Sequence, residues 1–66
     1  MKGFIEVTEK EDGNKRLLAI DKIIDVEQLS DNTAFISTWI NNDGDVLGIN
    51  TDNSYDDIKT KIILAR

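Results

Sequence analysis

Twice in this chain, at Asp12-Gly13 and at Asp43-Gly44, an Asp-Gly dipeptide with polar flanks separates two strand-like runs. A two-residue type I′ turn requires positive φ, which this dipeptide accommodates, so each one predicts a β-hairpin. Centring the first turn on Asp12-Gly13 pairs Val7 with Leu18 and Ile5 with Ile20, gathering four aliphatic side chains on one face. The same register sets Glu9 opposite Arg16, a cross-strand charge pair worth a few tenths to about 1 kcal/mol. Centring the second turn on Asp43-Gly44 pairs Ile40 with Leu47 and Thr38 with Ile49, so that Ile36, Ile40, Leu47 and Ile49 share a core face. Phe35, Ser37 and Trp39 then point to the opposite face, with Trp39 across from Gly48, where the missing side chain leaves room for an indole. A loop one residue longer would switch every side chain on one strand to the other face relative to its partner.

Between the hairpins, Ile23-Ile24-Asp25-Val26-Glu27-Gln28-Leu29 alternates as a third strand, entered through Asp21-Lys22 and followed by a turn at Ser30-Asp31-Asn32. The tail then changes period. Ser54 is placed to cap free backbone amides, Asp57 stands at the third helical position of a capping box, and Lys59 and Lys61 follow toward the negative end of the helix dipole. Tyr55, Ile58, Ile62 and Ala65 form a stripe at three-four spacing that would lie on the sheet, while Ile63 and Leu64 fall beside it and need another cover. Short links join antiparallel neighbours and leave no room for parallel crossovers. The predicted fold is therefore α+β: a five-stranded, mostly antiparallel sheet or partial barrel, with a C-terminal helix over residues 54–65. With no proline, no low-complexity segment and no internal repeat, residues 1–66 read as a single domain.

Composition narrows the chemistry. At 66 residues a domain buries roughly 60% of the surface its unfolded chain exposes, so the core is small and a partner surface would help it. The chain has neither cysteine nor histidine, which removes disulfides, thiolate nucleophiles, soft metal ligands and the side chain most easily titrated near neutrality. Thirteen Asp and Glu against eight Lys and Arg leave a formal net charge of −5, a field that opposes non-specific nucleic-acid binding. The apolar runs Leu17-Leu18-Ala19-Ile20 and Ile62-Ile63-Leu64-Ala65 are too short to span a bilayer, and the N-terminus lacks a secretory apolar region. We expect a cytoplasmic protein with no membrane contact.

No motif assigns catalytic, cofactor or metal residues. Asp43, Asp45, Asp52, Asp56 and Asp57 could be imagined around a hard cation, but an EF-hand loop needs an acid five residues before its glycine, where Gly44 has Trp39 and Gly13 has Thr8. Turn chemistry and helix capping already account for these acids. Glu6, Asp25, Glu27 and Lys22 have the right groups for acid–base or nucleophilic work. Alternating acids on strands are ordinarily a solvated face, and a chain this short has difficulty enclosing a substrate pocket. More is carried by Phe35, Trp39, Ile63 and Leu64, which read either as aromatic and aliphatic anchors of a protein interface or as a second small core. Lys10, Lys15 and Arg16 cluster at the first hairpin as possible phosphate contacts, among the acidic neighbours Glu9, Glu11 and Asp12.

Several segments together resemble a known family. Phe4-Ile5-Glu6-Val7-Thr8, Ile20-Asp21-Lys22-Ile23-Ile24, Asn32-Thr33-Ala34-Phe35-Ile36-Ser37-Thr38 and Ser54-Tyr55-Asp56-Asp57-Ile58 are similar to the small FlbD-like proteins associated with flagella and swarming motility. The resemblance implies a short β-rich protein with a C-terminal helix and a non-enzymatic accessory or regulatory role, and it brings no catalytic residues. The chain departs from that family in a longer hairpin region over residues 39–46 and in its more acidic balance. The expectation is a bacterial-type interaction module, without cofactor, that forms a homo-oligomer and binds a further protein. The alternatives are a regulator touching nucleic acid through the basic first hairpin and, more distantly, a small enzyme with its site between subunits.

Overall fold

A computed structural model describes residues 2–66. In chain order it contains β1 (Phe4–Thr8), β2 (Lys15–Ala19), a single 3-10 turn (Ile20–Lys22), β3 (Asp25–Gln28), β4 (Thr33–Ile40), β5 (Val46–Ser54) and α1 (Tyr55–Leu64). The five strands form two antiparallel sheets, β1-β2 and β3-β4-β5, rather than one continuous meander, and the sheets do not close into a barrel. They meet where β1 runs beside β5. Glu9 and Thr51 form an isolated bridge, the Lys10 amide donates to the Asn50 carbonyl at 2.9 Å, and the Thr8 amide donates to Asn53 Oδ1 at 2.8 Å.

Both predicted hairpins form, each with a longer loop than the two-residue turn. In the first, Ile5 pairs with Leu18 and Val7 with Arg16, because residues 10–13 form the loop between Glu9 and Asn14. The register has slipped by two positions, which leaves every side chain on its predicted face, so Ile5 and Val7 still turn inward and are buried. Glu9 still forms an ion pair with Arg16, now along the diagonal of the ribbon.

In the second hairpin Asn42, Asp43 and Gly44 lie between Asn41 and Asp45, which are joined by a 2.9 Å backbone bond, and Gly44 adopts φ +85°. The loop is one residue longer than predicted, and Asn41 Oδ1 secures it by accepting from the Asp43 and Asp45 amides. Ile40 consequently pairs with Val46 and Trp39 with Leu47, and an irregularity at Thr38 returns Ser37 to Gly48 and Ile36 to Ile49. Paired residues share a face, so Trp39 lies with Leu47 on the Ile36–Ile49 side and not with Phe35. Gly48 does accommodate an aromatic ring, but the ring is that of Phe35. Its tip carbon lies 2.9 Å from where a Cβ would stand, and a methyl group there would also collide with the Ile36 carbonyl.

The core is one cluster of Ile5, Val7, Ala34, Ile36, Ile58 and Ala65, ringed by Leu18, Ile20, Ile23, Val26, Tyr55 and Ile62. Four of these residues are the predicted helix stripe. Thr51 is buried beside them, and its hydroxyl donates to the Ala34 carbonyl at 2.8 Å. At the helix start Ser54 Oγ accepts from the Asp57 amide at 3.0 Å. The Asp57 carboxylate accepts from the Asn53 side-chain amide at 2.9 Å, where a longer Glu would return to the cap backbone. Asn53 thereby ties the helix start to Thr8 of β1. At the other end, the Gly3 amide donates to the Ala65 carbonyl at 2.7 Å.

Replacing Ser54 by Ala leaves the Asp57 amide without its capping oxygen and should lower stability by about 0.5–2 kcal/mol. Urea melts of parent and variant would measure it; superimposable curves would mean that Ser54 contributes nothing as a cap.

Candidate functional site

The far end of the β4–β5 hairpin is the largest collection of unburied apolar groups on adjacent strands. Trp39 (60% exposed), Ile40, Val46 and Leu47 are all exposed, and they are paired directly across the two strands. Trp39 and Leu47 occupy one face of this ribbon and Ile40 and Val46 the other. The reason is geometric. β3 ends its pairing with β4 at Asp25–Ser37, and the first hairpin bridges β5 at Asn50 and Thr51 and lines a cleft beside Gly48 with Glu9, Glu11 and Arg16, so among the described residues no strand pairs with the ribbon past Ser37 and Gly48. A two-stranded arm thus projects from the three-stranded sheet, apolar on both faces and unpaired on both edges.

The remaining predicted anchors are dispersed. Phe35 is half-buried with its ring over Gly48. Ile63 borders a cleft with Val26, Tyr55, Lys59, Ile62 and Arg66, whereas Leu64, 80% exposed, borders another with Phe4, Ile5, Glu6, Lys61 and Ala65. Neither cleft is lined by Phe35 or Trp39, so the four residues do not form one patch. Sequence reasoning missed Ile40, Val46 and Leu47 as exposed groups, because the two-residue turn assigned Ile40 and Leu47 to the core. The signal that finds them is the Asn41 side chain two positions before Asp43, whose hydrogen bonds favour a wider loop.

Each predicted phosphate contact is engaged by a carboxylate. Lys10 Nζ lies 2.8 Å from Asp31 Oδ2 and 2.7 Å from Thr33 Oγ1, Lys15 Nζ lies 3.5 Å from Glu6, and Arg16 pairs with Glu9. The first hairpin therefore presents alternating charge rather than a basic patch. Asp31 also accepts from the Thr33 amide and hydroxyl, and the Lys10 ammonium, followed by these two donors, holds its carboxyl well below the ordinary carboxylate range.

The acids considered for chemistry remain apart. Glu6, Asp25, Glu27 and Lys22 are exposed, and among the described residues no group of three or more acidic side chains is placed to hold a metal ion. The Asp43 and Asp45 backbone amides donate to Asn41 in the arm's loop, and the Asp57 carboxylate accepts from Asn53 at the helix start. A cleft of about 490 Å³, open and mainly apolar, is lined by Gly3, Phe4, Ala19, Ile20 and Ala65 together with Lys2, Asp21 and Arg66. Among the described residues no helix is long and apolar enough to cross a membrane. Comparison with protein-family models, with curated proteins and with solved structures returned no match.

The lowered acidity of Asp31 has a defined consequence. A carboxyl with a folded pKa below its unfolded value stabilises the fold above the unfolded value, and this contribution disappears as pH falls toward the folded one. Asp31→Asn should therefore be less stable than the parent at pH 7, with the gap closing as pH falls below about 4. Because the pair is exposed, the gap should also shrink in high salt. Thermal melts across pH and salt test this, and a gap constant from pH 7 to pH 2 would remove Asp31 from the account.

Proposed function

We propose that this protein is a non-enzymatic interaction module that works as a homo-oligomer, in the cytoplasm, with the β4–β5 arm as its contact surface. The supporting observation is the arm itself, where Trp39, Ile40, Val46 and Leu47 stand exposed in direct cross-strand pairs. An exposed apolar strand edge is a template for pairing with another chain, and soluble proteins ordinarily blunt such edges with charge, proline or a covering element. Here the strand portions of the arm, residues 38–40 and 46–49, contain no charged residue and no proline. A large aromatic beside aliphatic neighbours is also the usual composition of an interface centre.

The resemblance to FlbD-like proteins supports the same reading from a different direction, since it implies an accessory protein without catalysis. For the cytoplasmic assignment the support is composition: small secreted domains commonly rely on disulfides, and this chain has no cysteine. The nucleic-acid alternative gains no support from the first hairpin, where Lys10, Lys15 and Arg16 each face an acid. Salt separates the two behaviours. Phosphate contacts weaken steeply with added salt, whereas association of two chains of net charge −5 through apolar groups should hold or tighten as salt screens their repulsion.

Sedimentation equilibrium provides the test. The parent should self-associate reversibly in the micromolar range, and Trp39→Ala should raise the dissociation constant by roughly thirtyfold, equivalent to about 2 kcal/mol for a central aromatic anchor. Its melting temperature at low concentration should stay near the parental value, because Trp39 lies outside the core cluster. A parent that remains monomeric throughout, or a Trp39→Ala protein that associates as the parent does, would overturn this reading.

A further inference from the structure

We infer that the β4–β5 arm of one copy seats Trp39 in the apolar cleft beside Gly3 and Phe4 of a second copy, with the acids of the arm's loop meeting Lys2 and Arg66. This contact rests on the self-association proposed above and gives the arm its seat. The cleft has a local cause. Gly3 adopts φ +82°, and its backbone joins the 3-10 turn to the end of α1: its carbonyl accepts from the Ile20 amide at 2.9 Å and its amide donates to the Ala65 carbonyl at 2.7 Å. A side-chain carbon at Gly3 would meet nothing within 4 Å. The junction is thus left open, and the cross-strand pair Phe4 and Ala19 forms its apolar wall. At about 490 Å³ the space lies in the ordinary range of sites that bury a small molecule, ample for one indole.

The arm cannot fill the cleft of its own chain. From the Glu9–Thr51 bridge, β5 leads back to the arm at Val46 while β1 leads the opposite way to Phe4, on the order of 16 Å each at about 3.3 Å per residue. Arm and cleft therefore stand at opposite ends of a molecule 33 Å long. Trp39 is also on the open side of the arm, because it belongs to β4, whereas the first hairpin borders β5 with Glu9 and Glu11 beside Gly48.

Charge favours a second copy as the occupant. Of the eight basic residues, Lys10, Lys15 and Arg16 are held by acids of their own chain. The others lie before β1, in the 3-10 turn, in α1 or just after it, and among the described residues they form no ion pair. Lys2 and Arg66 line the cleft and Lys61 an adjoining one, against Asp21 in the same lining and Glu6, which Lys15 engages. Asp43 and Asp45 at the arm's loop are equally without a cationic partner among the described residues. Asp45 stands two positions before Leu47, so strand alternation puts it on the Trp39 face, about 7 Å further toward the loop. An indole in the cleft thus brings this acid onto Lys2 and Arg66. Exposed ion pairs contribute little strength; they orient the contact while apolar groups hold it, and association persists in salt.

An arm-to-cleft contact joins unlike surfaces, so each can be disabled in a different chain. Phe4 is exposed and outside the core cluster. Phe4→Glu should therefore keep the parental circular dichroism spectrum while placing an acid in the cleft, and its dissociation constant should rise by at least about tenfold. Mixing then gives the decisive readout. At a concentration where Phe4→Glu and Trp39→Ala each sediment as monomers, their equimolar mixture pairs the intact arm of the first with the intact cleft of the second and should form a heterodimer. Lys2→Glu/Arg66→Glu, at two exposed positions, should weaken association severalfold, and less at high salt. If the parent associates but either cleft variant associates as the parent does, or the mixture stays as dissociated as its parts, this seat is wrong and self-association stands. If the parent is monomeric, both are wrong.

Discussion

Ile58 is fully buried in one cluster with Ile5 and Val7 from the β1–β2 ribbon and with Ala34 and Ile36 from the three-stranded sheet. Neither part could be expected to persist alone: an isolated two-stranded ribbon is marginal in water, and a small sheet with one bare apolar face needs something packed on it. The helix supplies that cover, and its start is positioned by hydrogen bonds rather than by apolar area. Asn53 reaches Thr8 of β1 with its carbonyl oxygen and Asp57 of the helix with its amide, Ser54 caps the first turn, and the Tyr55 amide donates to the Asn32 carbonyl. One short segment thus fixes β1, the β3–β4 loop and the helix together, and the aliphatic core forms where they converge.

A core organised around the helix leaves the distal hairpin outside it. The helix has ten residues, on the order of 15 Å at 1.5 Å per residue, and its buried groups meet β4 at Ala34 and Ile36 rather than beyond them. Past Ser37, β4 and β5 continue without β3, β1 or the helix, and the side chains they carry there are apolar. The same limited cover that makes a 66-residue core possible thus generates the surface proposed for self-association. At the first hairpin, acid–base pairs such as Lys10–Asp31 and Arg16–Glu9 span loops and strands, and their charges cancel locally.

Much of this arrangement is legible in the amino-acid order, and the failures follow from parity. The helix is marked by Ser54, Asp57 and the Tyr55, Ile58, Ile62, Ala65 stripe, all local signals that tertiary packing reinforces. The first hairpin loop is longer than its Asp-Gly turn predicts without consequence for the core, because a slip of two residues preserves which side chains face inward. The second is longer by a single residue, and the irregularity at Thr38 turns Trp39 away from the face of Phe35. Turn composition favours a hairpin at Asp43-Gly44 but does not count its loop, which depends on the Asn41 side chain capturing two amides. The division into two sheets was not legible, since it depends on β1 meeting β5 at one bridge between residues far apart in sequence.

Residue-resolved amide hydrogen exchange on a dilute sample tests the central claim most directly, namely that a single helix-centred core unites the two sheets and leaves the arm outside it. Core amides of β1 and of β4, such as those of Val7 and Ile36, should exchange only through global unfolding and share one protection level. Amides joining the two strands of the arm should exchange much faster, through local opening. Separate protection levels for the two sheets would contradict a shared core, and arm amides as protected as those of Val7 and Ile36 in the monomer would contradict its isolation.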